Sequence, residues 1–133
     1  GAATYAAYAA AGVEVTVVSC TGGERGSVLN EQVADRAWAE RDMAGLRHSE
    51  MRKAQQILGI RHVWLGYLDS GLPDEGDPVP AGSFADLPIE ITVQPLIRLV
   101  RRLRPQVMVT YDERGGTRIP THPRPRVGCA STA

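Results

Sequence analysis

The sequence predicts an α/β fold with a parallel sheet and flanking helices. Short β-branched and apolar segments, which suit strands, alternate along the chain with amphipathic segments, which suit helices. The segments between the predicted strands are long enough for helical crossovers, which parallel strands need. We therefore expect βαβ units, with ligand-binding groups beyond the carboxyl ends of the strands.

The composition is that of one small globular domain. The chain has 133 residues, of which 43% are hydrophobic and 23% charged, and its formal net charge is zero. Because a neutral chain has no long-range field for polyanions, we expect no nucleic-acid partner. No apolar run reaches the roughly 18 residues of a spanning helix, so we expect no membrane partner either. Two cysteines, Cys20 and Cys129, are too few for a disulfide scaffold, which predicts a reducing, cytoplasmic setting.

Apolar spacing and end signals predict three helices, at Ala2–Ala11, Met43–Leu58 and Ile91–Leu103. Gly12 and Gly59 stand where a helix commonly ends in a left-handed glycine. Pro105 follows the third helix, whose last turn is basic.

The segments rich in β-branched residues predict three strands, at Val13–Cys20, His62–Tyr67 and Gln106–Tyr111. Each is followed by polar residues and glycines, which read TGGERG, DSG and YDERGG. Any one of these loops is explained by turn formation, but the three together predict a functional rim. The Pro-rich segment 71–88 is longer than most loops without secondary structure. It is therefore either a substrate-covering flap or a mobile insertion.

One charged pair on the second helix is a candidate for binding. Glu50 is four residues from both Leu46 and Ala54, which places it within the apolar stripe, where a carboxylate needs a partner. Arg47 can be that partner. The pair is either a structural ion pair or an arginine that Glu50 holds ready for substrate oxygens.

The histidines do not show metal-binding spacing. His48 and His62 are isolated, the first on an expected solvated helix face and the second at a strand start, and His122 follows later. No His-x-x-x-His or Cys-x-x-Cys pattern occurs. The residues by themselves therefore predict a rim of candidate substrate-binding residues, and they do not identify a catalytic residue.

Four blocks of the sequence, in order, resemble the LmbE-like or PIG-L-like superfamily of zinc-dependent N-acetylglucosamine deacetylases. The blocks lie between Gly1 and Gly116 and read GAATYAAYAAAGVEVTVVSCTGGERGSVLN, LRHSEMRKAQQILGI, WLGYLDSGLP and LVRRLRPQVMVTYDERGG. They are most similar to its amidase branch, which cleaves mycothiol S-conjugates. The resemblance implies a hydrolase with a Rossmann-like sheet, a zinc ion, and a glucosaminyl-inositol thiol conjugate as its small-molecule substrate.

The resemblance also implies that parts of the family pattern are altered here. A His-Pro-Asp-Asp motif on the first, central strand would lie before Gly1, and a motif with Tyr and His should follow Gly115 and Gly116. The chain instead continues as TRIPTH, as a one-base shift of reading frame would produce. We therefore expect residues 1–116 to form a partial domain without that strand, and 117–133 a disordered Pro/Arg-rich tail. No catalytic or metal residue is assigned, and we expect this chain neither to bind zinc nor to hydrolyse such conjugates.

Two substrate-binding residues carry over from the family. Arg47 matches an arginine that holds the sugar-inositol part, and Asp69 matches an aspartate that contacts sugar hydroxyls. Ser27 stands where the family has glutamate, and Asp112 belongs to the same rim. Two alternatives to the amidase stay open: an N-acetylglucosaminyl-inositol deacetylase, and a binding fragment without catalysis.

Overall fold

The computed structural model describes residues 1–74 and 76–111. They form a mixed α/β structure with a small parallel sheet, as the alternation of segments predicts. The elements are α1 (Ala2–Ala10), β1 (Thr16–Thr21), α2 (Arg36–Arg41), α3 (Met43–Leu58), β2 (Arg61–Tyr67) and α4 (Ile89–Leu103). The chain divides into one unit at residues 1–71 and a second that begins at Leu72.

The sheet of the first unit contains β1 and β2, which run parallel. Val17 lies beside His62 and Ser19 beside Trp64, and the register shifts between Ser19 and Thr21. Because side chains alternate between the faces of a strand, these four residues share one face of the sheet. The predicted βαβ arrangement is thus confirmed for this pair of strands.

Helix α3 begins and ends where the sequence predicts. The Asp42 carboxylate accepts a hydrogen bond from the Gly45 N–H at 2.9 Å, which satisfies one of the free donors of the first turn. Gly59 ends the helix with a φ of 68°, a conformation that glycine adopts without strain. The helix packs against α1, α2 and β2, so it connects the other elements of the first unit.

The short helix α2 is absent from the sequence-based prediction. Asp35 caps it by accepting a hydrogen bond from the Trp38 N–H at 2.9 Å. Its Ala39 is fully buried and joins a core cluster with Val28, Met43 and Leu46. One turn and a half of helix is too short for a reliable apolar period, which is why the pattern did not reveal it.

The predicted strand Gln106–Tyr111 does not form, and this prediction was wrong. Val107 and Val109 are 76% and 86% exposed, in a segment without regular secondary structure. A β-branched sequence becomes a strand only where a neighbour completes its backbone hydrogen bonds, and the described sheet has two strands only. The predicted tail, 117–133, lies outside the described residues.

The second unit contains the loop from Leu72 and helix α4. This helix begins after Pro88, two residues before the predicted start, and ends at Leu103 as predicted. Thr92 and Leu99 are its buried residues. None of the helices in the described residues combines the length and apolar composition that crossing a bilayer requires.

Candidate functional site

A cavity of about 450 Å³ opens at the carboxyl end of β1, within the size range of small-molecule sites. Its wall combines the end of β1 and its loop with one face of α3 and a side chain of β2. The lining residues are Ser19, Cys20, Thr21, Gly22, Gly23, Arg47, Glu50, Met51, Ala54 and Trp64. The cavity therefore lies where a parallel sheet is expected to bind its ligand.

The loop after β1 approaches α3 closely because of two glycines. Gly23 has a φ of 72°, and a Cβ there would contact the Cγ of Arg47 at 3.6 Å. A Cβ at Gly22 would stand 3.5 Å from the Cβ of Ala44 on α3, and 2.6 Å from Oε1 of Glu24, which would have to move. The glycines of TGGERG thus allow the loop to turn beside Arg47.

Arg47 and Glu50 form the predicted ion pair, with 2.7 Å between Nη1 and Oε2. A second, longer bond of 3.4 Å leads from Nη2 to the carbonyl oxygen of Ser27. The expected burial of Glu50 was wrong, because its side chain is 49% exposed. Both side chains border the open cavity, so both charges keep contact with water.

Asp69 connects the loop after β2 to the loop after β1. Its Oδ2 accepts a hydrogen bond from the Arg25 N–H at 3.2 Å, and its Oδ1 accepts one from Gly71 N–H at 3.1 Å. Its own N–H donates to Oε2 of Glu24 at 3.1 Å, and its carbonyl oxygen accepts from Nε of Arg25 at 3.0 Å. The three bonds with Glu24 and Arg25 set the relative position of the two loops, and the bond from Gly71 orients the Asp69 carboxylate within its own loop.

Two of the three predicted loops therefore meet, as the rim hypothesis requires. Arg47 and Asp69 both contact the loop after β1, Arg47 at Ser27 and Asp69 at Arg25. Of the two, Arg47 lines the cavity. The third loop, with Asp112, lies outside the described residues.

A group of aromatic rings lies on the face of the sheet that also carries Ser19. The imidazole of His48 stacks on Trp64, with 4.4 Å between centroids and 20° between planes. His62 lies against the same indole at 4.3 Å with a tilt of 60°, and its Nε2 is 2.8 Å from Oγ of Ser19. Both histidines therefore contact Trp64, and His48 is exposed as expected.

Burial shifts the pKa of two groups near the cavity. The pKa of the Cys20 thiol is raised above its usual 9.0, so the sulfur is a neutral thiol at pH 7 rather than a nucleophilic thiolate. The pKa of His62 is lowered below 6.5, chiefly by burial and further by the charge of His48. His62 is consequently neutral at pH 7.

The lowered pKa of His62 predicts a loss of stability in mild acid. When the pH falls through 6.5, the unfolded chain takes up the His62 proton first, and the free energy of unfolding decreases until the folded pKa is passed. We expect the His62 nuclear magnetic resonance titration to have its midpoint below 6.5. His48→Gln should raise that midpoint without restoring 6.5, because burial is the larger cause. A wild-type midpoint at or above 6.5 would contradict this assignment.

The described residues do not provide a metal site. Among residues 1–74 and 76–111, no three His, Cys, Asp or Glu side chains stand close enough together to hold a metal ion. The zinc that the resemblance implies therefore has no fitting ligand set in this part of the chain. His122 and Asp112 lie outside it, so the expectation that the chain binds no zinc stays a prediction.

Comparison with known proteins decides the family. The model of the family described as PIG-L, GlcNAc-PI de-N-acetylase, matches residues 1–126. The chain belongs to the PIG-L family. The match continues past Gly116, where we expected the resemblance to end, and thus covers part of the predicted tail.

Members of the PIG-L family with curated names include relatives of two kinds. The mycothiol S-conjugate amidase of Streptomyces coelicolor is 49% identical over 125 residues, which are 92% of this chain and 42% of the relative. A 1D-myo-inositol 2-acetamido-2-deoxy-alpha-D-glucopyranoside deacetylase of Catenulispora acidiphila is 40% identical, with 90% and 39% covered. Its counterpart in Streptomyces scabiei is also 40% identical, with the same coverage. The chain thus spans less than half the length of these PIG-L relatives.

Proposed function

We propose that this chain belongs by descent to hydrolases of the amide bond in glucosaminyl-inositol thiol conjugates, that the cavity beside β1 binds their glucosaminyl-inositol part, and that the 133-residue chain by itself does not hydrolyse them. The observation that carries the proposal is the 49% identity to a mycothiol S-conjugate amidase. The identity to the two deacetylases is 40%. Deacetylation of N-acetylglucosaminyl-inositol is the second candidate, supported by the several relatives with that name.

The part of Arg47 in this proposal is to hold ligand oxygens. A guanidinium has five N–H donors in a planar fork, and here one donates to Glu50 and another makes a long bond to Ser27. The remaining donors suit the hydroxyl oxygens of a sugar or an inositol. Glu50 keeps the fork in one orientation, which lowers the entropy lost when a ligand binds.

Asp69 would act at the edge of the same site. Both carboxylate oxygens already accept one backbone N–H each, but each oxygen has a second acceptor position. A sugar hydroxyl can donate to either. The bonds to Arg25 and Gly71 hold the carboxylate in place, so its orientation is set before the ligand arrives.

Three broader parts of the proposal depend on family membership and sequence. They are a Rossmann-like arrangement of the sheet, a division between residues 1–116 and the tail 117–133, and a cytoplasmic setting. Zinc is the metal that the resemblance implies for the family. Because the described residues include no ligand set for it, the chemistry proposed for them is limited to binding and orienting the substrate.

A binding experiment with the 133-residue chain tests the proposal. A mycothiol S-conjugate and N-acetylglucosaminyl-inositol are titrated separately into labelled protein, and backbone amide signals are followed. We expect both to shift the signals of residues 19–23 and of Arg47, with the conjugate binding more tightly. Maltose serves as the control sugar. Tighter binding of N-acetylglucosaminyl-inositol would favour the deacetylase, and no shift with either ligand at millimolar concentration would refute the proposal.

A further inference from the structure

We propose that Ser19 is a further substrate-contacting residue of this cavity, which donates its hydroxyl hydrogen to a ligand oxygen, and that His62 positions that hydroxyl. The inference rests on the proposed function, because the ligand oxygen is taken to belong to glucosaminyl-inositol. Neither residue was among the candidates from the sequence. The contact between them depends on the pairing of β1 with β2, which brings residues 43 positions apart together.

The position of Ser19 is set by the strand register. Ser19 lies beside Trp64 in the sheet, and His62 precedes Trp64 by two positions, so all three side chains share one face. The Ser19 Oγ is 2.8 Å from the His62 Nε2, which is the distance of a good hydrogen bond. Ser19 also lines the cavity, and its hydroxyl is bonded to the ring of the half-buried His62.

The surroundings of the other ring nitrogen decide the direction of this bond. Nδ1 of His62 is buried and has no hydrogen-bond partner among residues 1–74 and 76–111. A buried ring nitrogen without a partner costs free energy in either tautomer, but orphaned N–H donors are rarer in folded proteins than unpartnered acceptors. The hydrogen of the neutral ring therefore resides on Nε2, and the Nε2–H donates to Oγ of Ser19.

This direction leaves the Ser19 hydroxyl as a donor. A hydroxyl has one hydrogen and two acceptor positions, and the bond from His62 uses an acceptor position. The hydrogen can then point to a ligand oxygen. Together with the N–H groups of Arg47, it gives the cavity donors on two of its walls, which fits a ligand rich in hydroxyl and ether oxygens.

Packing keeps the imidazole of His62 in this orientation. The ring lies against Trp64, which in turn stacks on His48 of α3. Within residues 1–74 and 76–111, His62 interacts with the Ser19 hydroxyl, the Trp64 indole and the His48 imidazole, and none of these groups is a carboxylate that would favour a charged ring. The burial that lowers the pKa of His62 agrees with a neutral ring at pH 7.

Nitrogen-15 spectra of the labelled chain test the direction of the bond without any ligand. They distinguish a protonated from an unprotonated ring nitrogen, and His62→Phe identifies the signals of His62. We expect the hydrogen on Nε2 at pH 7.5. A hydrogen on Nδ1 would overturn the inference, because the Ser19 hydroxyl would then have to donate to His62.

Binding of N-acetylglucosaminyl-inositol to variants tests the contact itself. Ser19→Ala should weaken binding roughly 2- to 10-fold, the value of one neutral hydrogen bond, and Ser19→Thr should restore most of it. His62→Phe keeps an aromatic ring against Trp64 and should weaken binding similarly. Because the two residues act through one bond, the double variant should bind no worse than Ser19→Ala.

The control for the binding series is Ser49→Ala, which makes the same change on α3 outside the cavity lining. It should leave the affinity unchanged, and the unfolding midpoints of all variants are compared to exclude misfolding. Equal binding by wild type and Ser19→Ala would overturn this inference while the proposed function stands. Failure of the wild type to bind either this probe or a mycothiol S-conjugate would instead refute the proposed function.

Discussion

Replacing Leu46 by alanine should lower the free energy of unfolding by about 2–5 kcal/mol, the range found for buried leucines. Leu46 is 9% exposed on α3 and belongs to a core cluster with Val28, Ala39 and Met43. The cluster has four buried residues, so few neighbouring side chains can move to fill the cavity that the substitution leaves. Because small domains are stable by only about 5–15 kcal/mol, we expect a marked fall of the urea midpoint.

The matched control for Leu46→Ala is Ile57→Ala on the same helix. Ile57 is 82% exposed, so the change should alter the free energy of unfolding by no more than about 0.5 kcal/mol. Urea unfolding followed by circular dichroism measures both variants. Equal losses in the two variants would show that the cluster around Leu46 is not the core of the first unit.

Replacing Arg47 by alanine should weaken the binding of a mycothiol S-conjugate by about 10- to 100-fold. Hydrogen bonds that involve a charged group contribute about 1.5–3 kcal/mol, and the change also leaves the Glu50 carboxylate at the cavity without its partner. The free energy of unfolding should change little, because the ion pair is exposed to water on both sides. Isothermal titration calorimetry measures the affinity.

Two further substitutions separate the geometry of Arg47 from its charge. Arg47→Lys keeps the charge but loses the planar fork, so we expect a loss of affinity between those of wild type and Arg47→Ala. Arg52→Ala removes the same group from an exposed position on α3 outside the cavity lining, and should leave binding intact. If Arg52→Ala and Arg47→Ala weaken binding equally, a general charge effect is responsible and the role of Arg47 is refuted.

Local sequence signals predicted the parts of the structure that depend on neighbouring residues. Helix α3 runs from Met43 to Leu58 as predicted, since its apolar spacing and the left-handed glycine at its end act within one turn. The ion pair of Arg47 with Glu50 is a contact between residues three positions apart on a helix. Such contacts are encoded by spacing alone.

The failed predictions concern properties that depend on distant residues. The strand expected at Gln106–Tyr111 needs a partner strand, and apolar sequence does not provide one. The exposure of Glu50 depends on how widely α3 is covered by the sheet, which the helical period does not reveal. Short helix α2 was missed because its stability comes from the Asp35 cap and the burial of Ala39.

The sequence by itself determined the alternation of helices and strands, the ends of α3, the Arg47–Glu50 pair and the resemblance to the PIG-L family. Only the tertiary structure decided that Asp69 joins two loops and that Ser19 meets His62. Each contact joins a residue in β1 or its loop to a residue in β2 or its loop, and the two residues are more than 40 positions apart in the sequence. The physical reason is the register of the parallel strands, since a slip of one residue would turn Ser19 to the opposite face of the sheet.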